Sequence, residues 1–425
     1  MLFNNDTQQI EMATKIKRKI ITDFEYWTML QNCTTLHELM FFPTKPNTDL
    51  ENNFPLAISM LINEDIDHVV RAINAIYAPQ NLYCLHVDWK TSKFFHDTVE
   101  RFASCFENII VSPRSEPIIW EGYTMVQAQI NCLQALYEAR NRYPWKYALT
   151  LQGKDFPLKT NREMVQILME YRNGNDVELL KPIPDRYKIP RQLYFNQQGL
   201  PVGLKNPETG VTKPNLPFGA ILYKGSFAAA LSQQFVEYVL YSNISLAVRV
   251  WLNDTLNADE SLWSTLIHND HFNGPGAYPG RCVNSEKRKD WITRYAIWLV
   301  NKNSSCSGEW RHSICLANLM DFMRYQILRR PELFFNKIWI RSDPIALDCL
   351  HEVIYNRTYM PNCQNNQNCD STNLASNCSA DVENCQTKQL QMLFNLSFYK
   401  TLSVPLFQTE LEKLGNEAFN KFTCV

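Results

Sequence analysis

From Pro55 onward the chain alternates short, continuous apolar runs with stretches of helical periodicity, and this alternation constrains the fold more than any other feature. Leu56 to Ile62 (LAISMLI) is apolar throughout, as in a strand buried on both faces of a parallel sheet. Residues 65–77 place Val69, Val70, Ile73, Ile76 and Tyr77 on one helical face, and Pro79 ends that helix. Leu82–Val87, Ile109–Val111 and Tyr147–Leu151 predict three more strands, with helices expected over 93–103 and 123–142. The order β-α-β-α-β-α-β, with short connections, predicts a mostly parallel sheet covered by helices on both faces. Ligands of such sheets sit at the carboxyl ends of the strands. Here those ends carry His86-Val87-Asp88 and Gly153-Lys154-Asp155-Phe156-Pro157, whose polar side chains become candidate site residues.

The flanks differ in texture. Residues 1–53 are polar and mixed and read as a stem-like N-terminal arm, ahead of an α/β domain over 54–350. Residues 351–425 are rich in Cys and Asn and read as a disulfide-tied, glycosylated appendage. Within the domain, residues 160–216 read as a long loop region over a site, followed by helices over 231–241 and 258–268.

Composition narrows the class. A net charge of −1 carries no basic excess for nucleic acid. The 13 cysteines include no C-x2-C pair, so disulfides explain them better than zinc. N-x-S/T sequons stand at Asn5, Asn32, Asn243, Asn253, Asn303, Asn356, Asn377 and Asn395, and with the cysteines they point to the secretory lumen. No run approaches the roughly 18 apolar residues of a membrane-spanning helix, and the first residues hold no signal-peptide core. The lumenal reading therefore expects a membrane anchor outside this sequence. G-x-G-x-x-G, P-loop, H-E-x-x-H and G-x-S-x-G patterns do not occur. Asp65-Ile66-Asp67 has D-x-D spacing, but it opens a helix, where acids complement the helix dipole, so no metal ligand is assigned.

Four ordered segments then carry a resemblance. FPLAISMLINEDIDHVVRAINAIYAPQNLYCLHVD resembles the start of the core-2/I-branching β-1,6-N-acetylglucosaminyltransferases. LTLQGKDFPLKTN resembles that family's D-F-P-[IL]-K-T hallmark, ADESLW its P-D-E-x-x-W segment, and LFFNKI its L-F-A-N-K-F segment. The matches run from about Pro55 to Leu350. The resemblance implies a GT-A-type nucleotide-sugar-binding sandwich that inverts the anomeric centre without a metal or other cofactor. It implies transfer of GlcNAc from UDP-GlcNAc to a glycan or glycoprotein acceptor, the β-1,6 branching of O-glycans, by a type II membrane protein of the Golgi lumen. Relatives include peptide O-xylosyltransferases, so a UDP-xylose donor with a protein Ser acceptor is an alternative. A lumenal glycan-binding protein that keeps the fold without turnover is another.

The resemblance also implies roles. Glu260 takes the place of the catalytic base that removes the acceptor hydroxyl proton. Lys337 takes that of the Lys neutralising the UDP diphosphate, a charge that a metal-free enzyme must supply itself. The family's Arg partner lies in R-S-V-C. This chain has Arg311-His312-Ser313-Ile314-Cys315, so His312 takes the Arg position and Arg311 stands one residue earlier. Asp88 resembles the uridine-contacting Asp. Leu61 and Trp120 fall at positions beside the base, with ordinary core packing as the competing reading. Asp155 either shapes the donor site or caps a turn. Gly225-Ser226 resembles an acceptor-side S-G-S loop, and Trp298 the acceptor-stacking Trp of W-x-Y, whose Tyr is Val300 here. The implied disulfides are Cys306–Cys315 and Cys33–Cys349. The partner expected for Cys84 is Gln152, which leaves Cys84 as a buried free thiol.

Overall fold

The computed structural model describes residues 7–13, 15–207, 210–285, 289–301, 303–359 and 394–424. Its centre is a five-stranded sheet in the order β3-β2-β1-β4-β8, formed by Leu56–Ile62 (β1), Leu82–Val87 (β2), Ile109–Val111 (β3), Tyr147–Gln152 (β4) and Ala230–Ser232 (β8). The first four strands are mutually parallel and β8 is antiparallel. The predicted α/β architecture is thus the observed one. The chain winds from β1 outward to β3, then crosses to β4 on the other side of β1. A crevice opens where the direction of winding reverses, at the carboxyl ends of β1 and β4.

Period-two burial explains the two covered faces. Leu56, Ile58, Met60 and Ile62 of β1 join Tyr147, Leu149 and Leu151 of β4 in one core. Ile66, Val69, Val70, Ile73 and Ile76 of the Ile66–Ile76 helix cover that face. Ala57, Ala148 and Leu82 point the other way, against Val126, Ile130, Leu133 and Leu136 of the Thr124–Glu138 helix. Each such aliphatic side chain contributes ~1.5–3 kcal/mol when buried, so a one-residue slip of any strand is strongly disfavoured.

A second, three-stranded sheet supports the crevice. Phe334–Asn336 (β12) pairs antiparallel with Phe156–Pro157 (β5) and parallel with Arg294–Ala296 (β9). Two hairpins complete the strands: Gln192–Phe195 with Pro201–Lys205 (β6, β7), and Glu309–Arg311 with Ile314–Leu316 (β10, β11).

Several expectations need correction. The 160–216 segment is not all loop. It begins with the Asn161–Glu170 helix, and a capping box between Thr160 and Glu163 marks its start. The helix Asn243–Leu252 also stands where none was predicted. Asp65 and Asp67 are not simple first-turn acids. Asp65 has φ 60° and turns its carboxylate to Lys154, Trp339 and Arg341. Asp67 is fully buried and accepts from Arg18, Arg71 and Tyr26, which locks the N-terminal arm onto the domain. Tyr26, Leu30, Leu36 and Phe42 of that arm lie in the main core. The Pro344–Tyr359 helix runs unbroken through the expected boundary at 351, and Leu402, Val404 and Phe407 pack into the same core.

The cysteine expectations divide. Cys306 bonds Cys315, as the resemblance implies. Cys33 does not bond Cys349: it bonds Cys105, because the Cys33–Leu39 helix packs beside the end of the Lys93–Ser104 helix, with Cα atoms 5.4 Å apart. Cys349 is left as a thiol in the Pro344–Tyr359 helix. Cys84 is not free either. The Thr124–Glu138 helix lies over β2 and brings Cys132 to it, a pairing that Gln152 never enters. Cys282 bonds Cys424 and ties the C-terminal segment down. Cys363, Cys369, Cys378 and Cys385, with Asn5 and Asn377, lie outside the described residues.

Candidate functional site

Asp88 directly follows β2, where its N–H donates to Ile62 O at 2.9 Å. Its carboxylate accepts from the Lys90 N–H at 3.0 Å, Lys90 Nζ at 2.8 Å and the Ile118 N–H at 3.3 Å. Lys90, which the sequence reading missed, also reaches Ile118 O and so clamps the 116–121 loop to the strand end. Three residues past β2, in no periodic element, it carried no sequence signal. His86 accepts from the Glu116 N–H at 2.9 Å, and burial holds its imidazole down at about 4, hence neutral.

Trp120 and Leu61 separate. Leu61 is 6% exposed and packs with Met125, Ala128 and Phe227, so core packing describes it. Trp120 is 58% exposed and stacks on His312, with ring centroids 4.5 Å apart. Trp120, Lys90 and Glu121 line a cavity of about 380 Å³ with Val202 and Leu204 of β7. The 192–205 hairpin thus walls the site, which nothing in its sequence announced.

His312 and Ser313 both have positive φ, 51° and 61°, as the two-residue turn between β10 and β11 requires. That turn holds Arg311 beside Lys337, whose ammonium donates to Arg311 O at 3.3 Å. Burial, then Arg294 and Arg311, push Lys337 down to about 8. Desolvation, then the Lys337 and Arg311 charges, lower His312 below its usual range. His312 is therefore neutral at pH 7, and Arg311 is the cation of the pair.

Beneath these groups lies Asp155, fully enclosed. Its Oδ2 accepts from the Gln152 N–H at 2.7 Å, and its Oδ1 lies 3.7 Å from Arg294. Burial raises its pKa, with Arg294 the main opposing influence. It caps the turn at Gln152 and lies beside Arg294. Arg294 continues to Gln152 Oε1 at 3.2 Å and Ser226 Oγ at 3.3 Å. The end of β4 and the Gly225-Ser226 loop are therefore joined by one guanidinium. Gly225 is obligatory, since a Cβ there would sit 2.1 Å from Ser264 Oγ and 2.3 Å from Glu178 O. Trp298 is half-buried and bridges to Ile314, beside the His312 turn, whereas Val300 is 79% exposed.

Glu260 closes the short Ala258–Glu260 turn, and its carbonyl accepts from the Gly225 N–H at 2.6 Å. Its carboxylate pairs with Arg186 and, at 3.1 Å, with Lys224. It lines a pocket with Arg186, Tyr187, Lys224 and Asn257. Arg186 and Lys224 were not among the sequence candidates, because each comes from a separate segment. Burial and the Glu260 charge raise the adjacent Asp259 to about 7.

One carboxylate beside a pocket, and Lys337 with Arg311 close together without a carboxylate ion pair among the described residues, suit proton removal next to a bound anion. Residues 56–324 match the core-2/I-branching enzyme model. The chain belongs to that family.

This family member is a glycosyltransferase. It is 32% identical over 332 residues to an N-acetyllactosaminide beta-1,6-N-acetylglucosaminyl-transferase of Mus musculus, covering 77% of this chain and 79% of that one. It is 31% identical to beta-1,3-galactosyl-O-glycosyl-glycoprotein beta-1,6-N-acetylglucosaminyltransferase 3 of Ovis aries, over 81% and 77% of the two chains. A beta-1,3-galactosyl-O-glycosyl-glycoprotein beta-1,6-N-acetylglucosaminyltransferase of Bovine herpesvirus 4 is likewise 31% identical, with the same coverage. The yeast mannosyltransferase Ktr4p in complex with GDP shares 10% identity at a TM-score of 0.25, covering 65% of this chain and 82% of that one, too slight a likeness to argue from. Among the described residues no helix is long and apolar enough to cross a membrane.

Proposed function

We propose that the protein transfers GlcNAc from UDP-GlcNAc to a glycan acceptor, forming a β-1,6 branch on O-glycans with inversion and without a metal ion. The observation that carries this is the placement of Glu260, held at a pocket by Arg186 and Lys224 and hydrogen-bonded through its backbone to the Gly225-Ser226 loop. Its carboxylate accepts the acceptor hydroxyl proton as that oxygen attacks C1 of the donor sugar. The C1–O bond to UDP breaks on the opposite side, and Lys337 with Arg311 takes up the charge on the departing diphosphate. Asp88 with Lys90 fixes the strand end facing the uridine, and Trp120 supplies an exposed ring beside it. Trp298 lies on the acceptor side.

The metal-free reading is supported by the engagement of the D-x-D carboxylates. Asp65 is taken by Lys154, Trp339 and Arg341, and Asp67 by Arg18, Arg71 and Tyr26. Lumenal residence in the Golgi is supported by the four disulfides among the described residues and by exposed sequons at Asn32, Asn243, Asn253, Asn303 and Asn395. Free UDP release should be measured with UDP-GlcNAc, UDP-xylose and other UDP-sugars, with and without a galactosyl O-glycan acceptor, in EDTA. Acceptor-dependent release from UDP-GlcNAc alone is expected. Release only from UDP-xylose with a Ser peptide, binding without release, or turnover that returns only on adding manganese would each overturn a stated part.

A further inference from the structure

Arg311 is the one cation beside Lys337 that no carboxylate of the described residues pairs with. Its guanidinium carbon lies 5.4 Å from the centre of the Trp339 ring, within cation–π range. The Trp339 ring is itself fixed. Its indole N–H donates to Asp65 Oδ2 at 2.6 Å, and Asp65 is nearly buried at the end of β1. Lys154 Nζ reaches the same Asp65 at 2.9 Å, and Glu64 at 3.1 Å, while lying 5.1 Å from the ring centre. Arg341 Nε closes the set on Asp65 Oδ1 at 2.5 Å.

We propose that Asp65 and Trp339 form a platform that positions Arg311 for the donor's diphosphate. This rests on the reading of Lys337 and Arg311 given above. The physical logic is one of charge. A carboxylate under Arg311 would orient it but cancel the charge that an anion needs. An aromatic face orients a guanidinium while leaving its full charge and its N–H donors available. Asp65 then performs the carboxylate's ordering role one step removed, through the indole N–H. Lys154 ties Asp65 to the strand end that carries Asp155. Trp339 and Asp65 touch no substrate and act only through Arg311, so they are positioning residues.

The test compares UDP affinity by calorimetry with donor and acceptor KM and kcat in Trp339→Leu, which removes the ring, and Trp339→Phe, which keeps one. Trp339→Leu is expected to weaken UDP roughly 3- to 10-fold and to raise donor KM, with acceptor KM unchanged. Trp339→Phe, which keeps a ring but lacks the N–H held by Asp65, should recover part of that loss. Arg311→Ala should weaken UDP by itself, and adding Trp339→Leu to it should cost nothing further. Should Trp339→Leu not fold, Trp339→Met removes the ring in its place. Unchanged UDP binding in a folded ringless variant overturns the platform, as does equal loss in Trp339→Leu and Trp339→Phe, or additivity with Arg311→Ala. If Lys337→Ala and Arg311→Ala both bind UDP normally, the diphosphate reading itself fails and the platform falls with it. If those two weaken UDP and Trp339→Leu does not, only the platform fails.

Discussion

Around Glu260, Arg186 and Lys224 close on the carboxylate, whereas around Lys337 the neighbours Arg294, Arg311 and Lys154 mostly share its sign. One side of the site is electrically satisfied before anything binds. The other holds cations in mutual repulsion, with the enclosed Asp155 beside Arg294 and with Glu64 and Asp65 paired to Lys154. Such an arrangement costs stability in the empty protein and is relieved by an anion. On the proposed reading, the difference separates a group that takes a proton from groups that hold a charge. It also explains their different supports. Glu260 sits on a short turn and depends on partners from separate segments, while Lys337 follows β12 and is fixed by the strand.

The comparison can be broken by substitution on each side. Glu260→Gln keeps shape but cannot take the proton, so turnover should fall by a factor of ~10²–10⁴ while UDP affinity barely changes. Near-normal turnover in the folded variant would end Glu260's role as base. Lys337→Ala should act the other way, weakening UDP by roughly 2–3 kcal/mol in calorimetry. If it alters kcat alone, the division between the two sides is wrong.

Acidity sharpens the same contrast. Lys337 has its pKa lowered to about 8, so the free protein loses that charge as pH rises through this value. Bound diphosphate favours the charged form, so UDP affinity should be full below about pH 7 and decline above 8. Lys337→Arg does not titrate there and should flatten this decline. An unchanged alkaline slope in Lys337→Arg would show that another group titrates.

The smallest effect concerns the scaffold beneath both sides. The hallmark D-F-P-L-K-T is mostly structural: Phe156 and Leu158 are core, and Lys159 is fully buried, donating to Arg330 O at 2.6 Å. Thr160 caps the Asn161–Glu170 helix, so Thr160→Ala should cost ~1 kcal/mol in denaturant unfolding and leave UDP affinity unchanged. A larger change in UDP affinity than in stability would mean that the cap shapes the site.

How much of this was legible follows the range of each interaction. β1, β2 and β4, and the helices over them, were readable because burial on a strand or helix repeats within the local sequence. Glu260 and Lys337 were readable only through resemblance, since neither residue's spacing carries a signal of its own. The Asn161–Glu170 helix carries its own start signal, the Thr160–Glu163 capping box, but the Asn- and Pro-rich texture that follows it obscures the pattern.

Sequence by itself determined the layered α/β core and the strand ends that carry polar residues, and the resemblance it carries implied the bridge between Cys306 and Cys315, nine positions apart. Only the tertiary structure decided that Cys33 meets Cys105, that Cys132 lies over Cys84, and that Asp65 serves Trp339 instead of a helix dipole. It also decided which cations surround Lys337 and which surround Glu260. Hydrophobic periodicity is a property of neighbours along the chain. Disulfide partners, ion pairs and ring contacts depend on which distant segments are brought within a few ångströms, and that is fixed only when the sheet and its helices have packed.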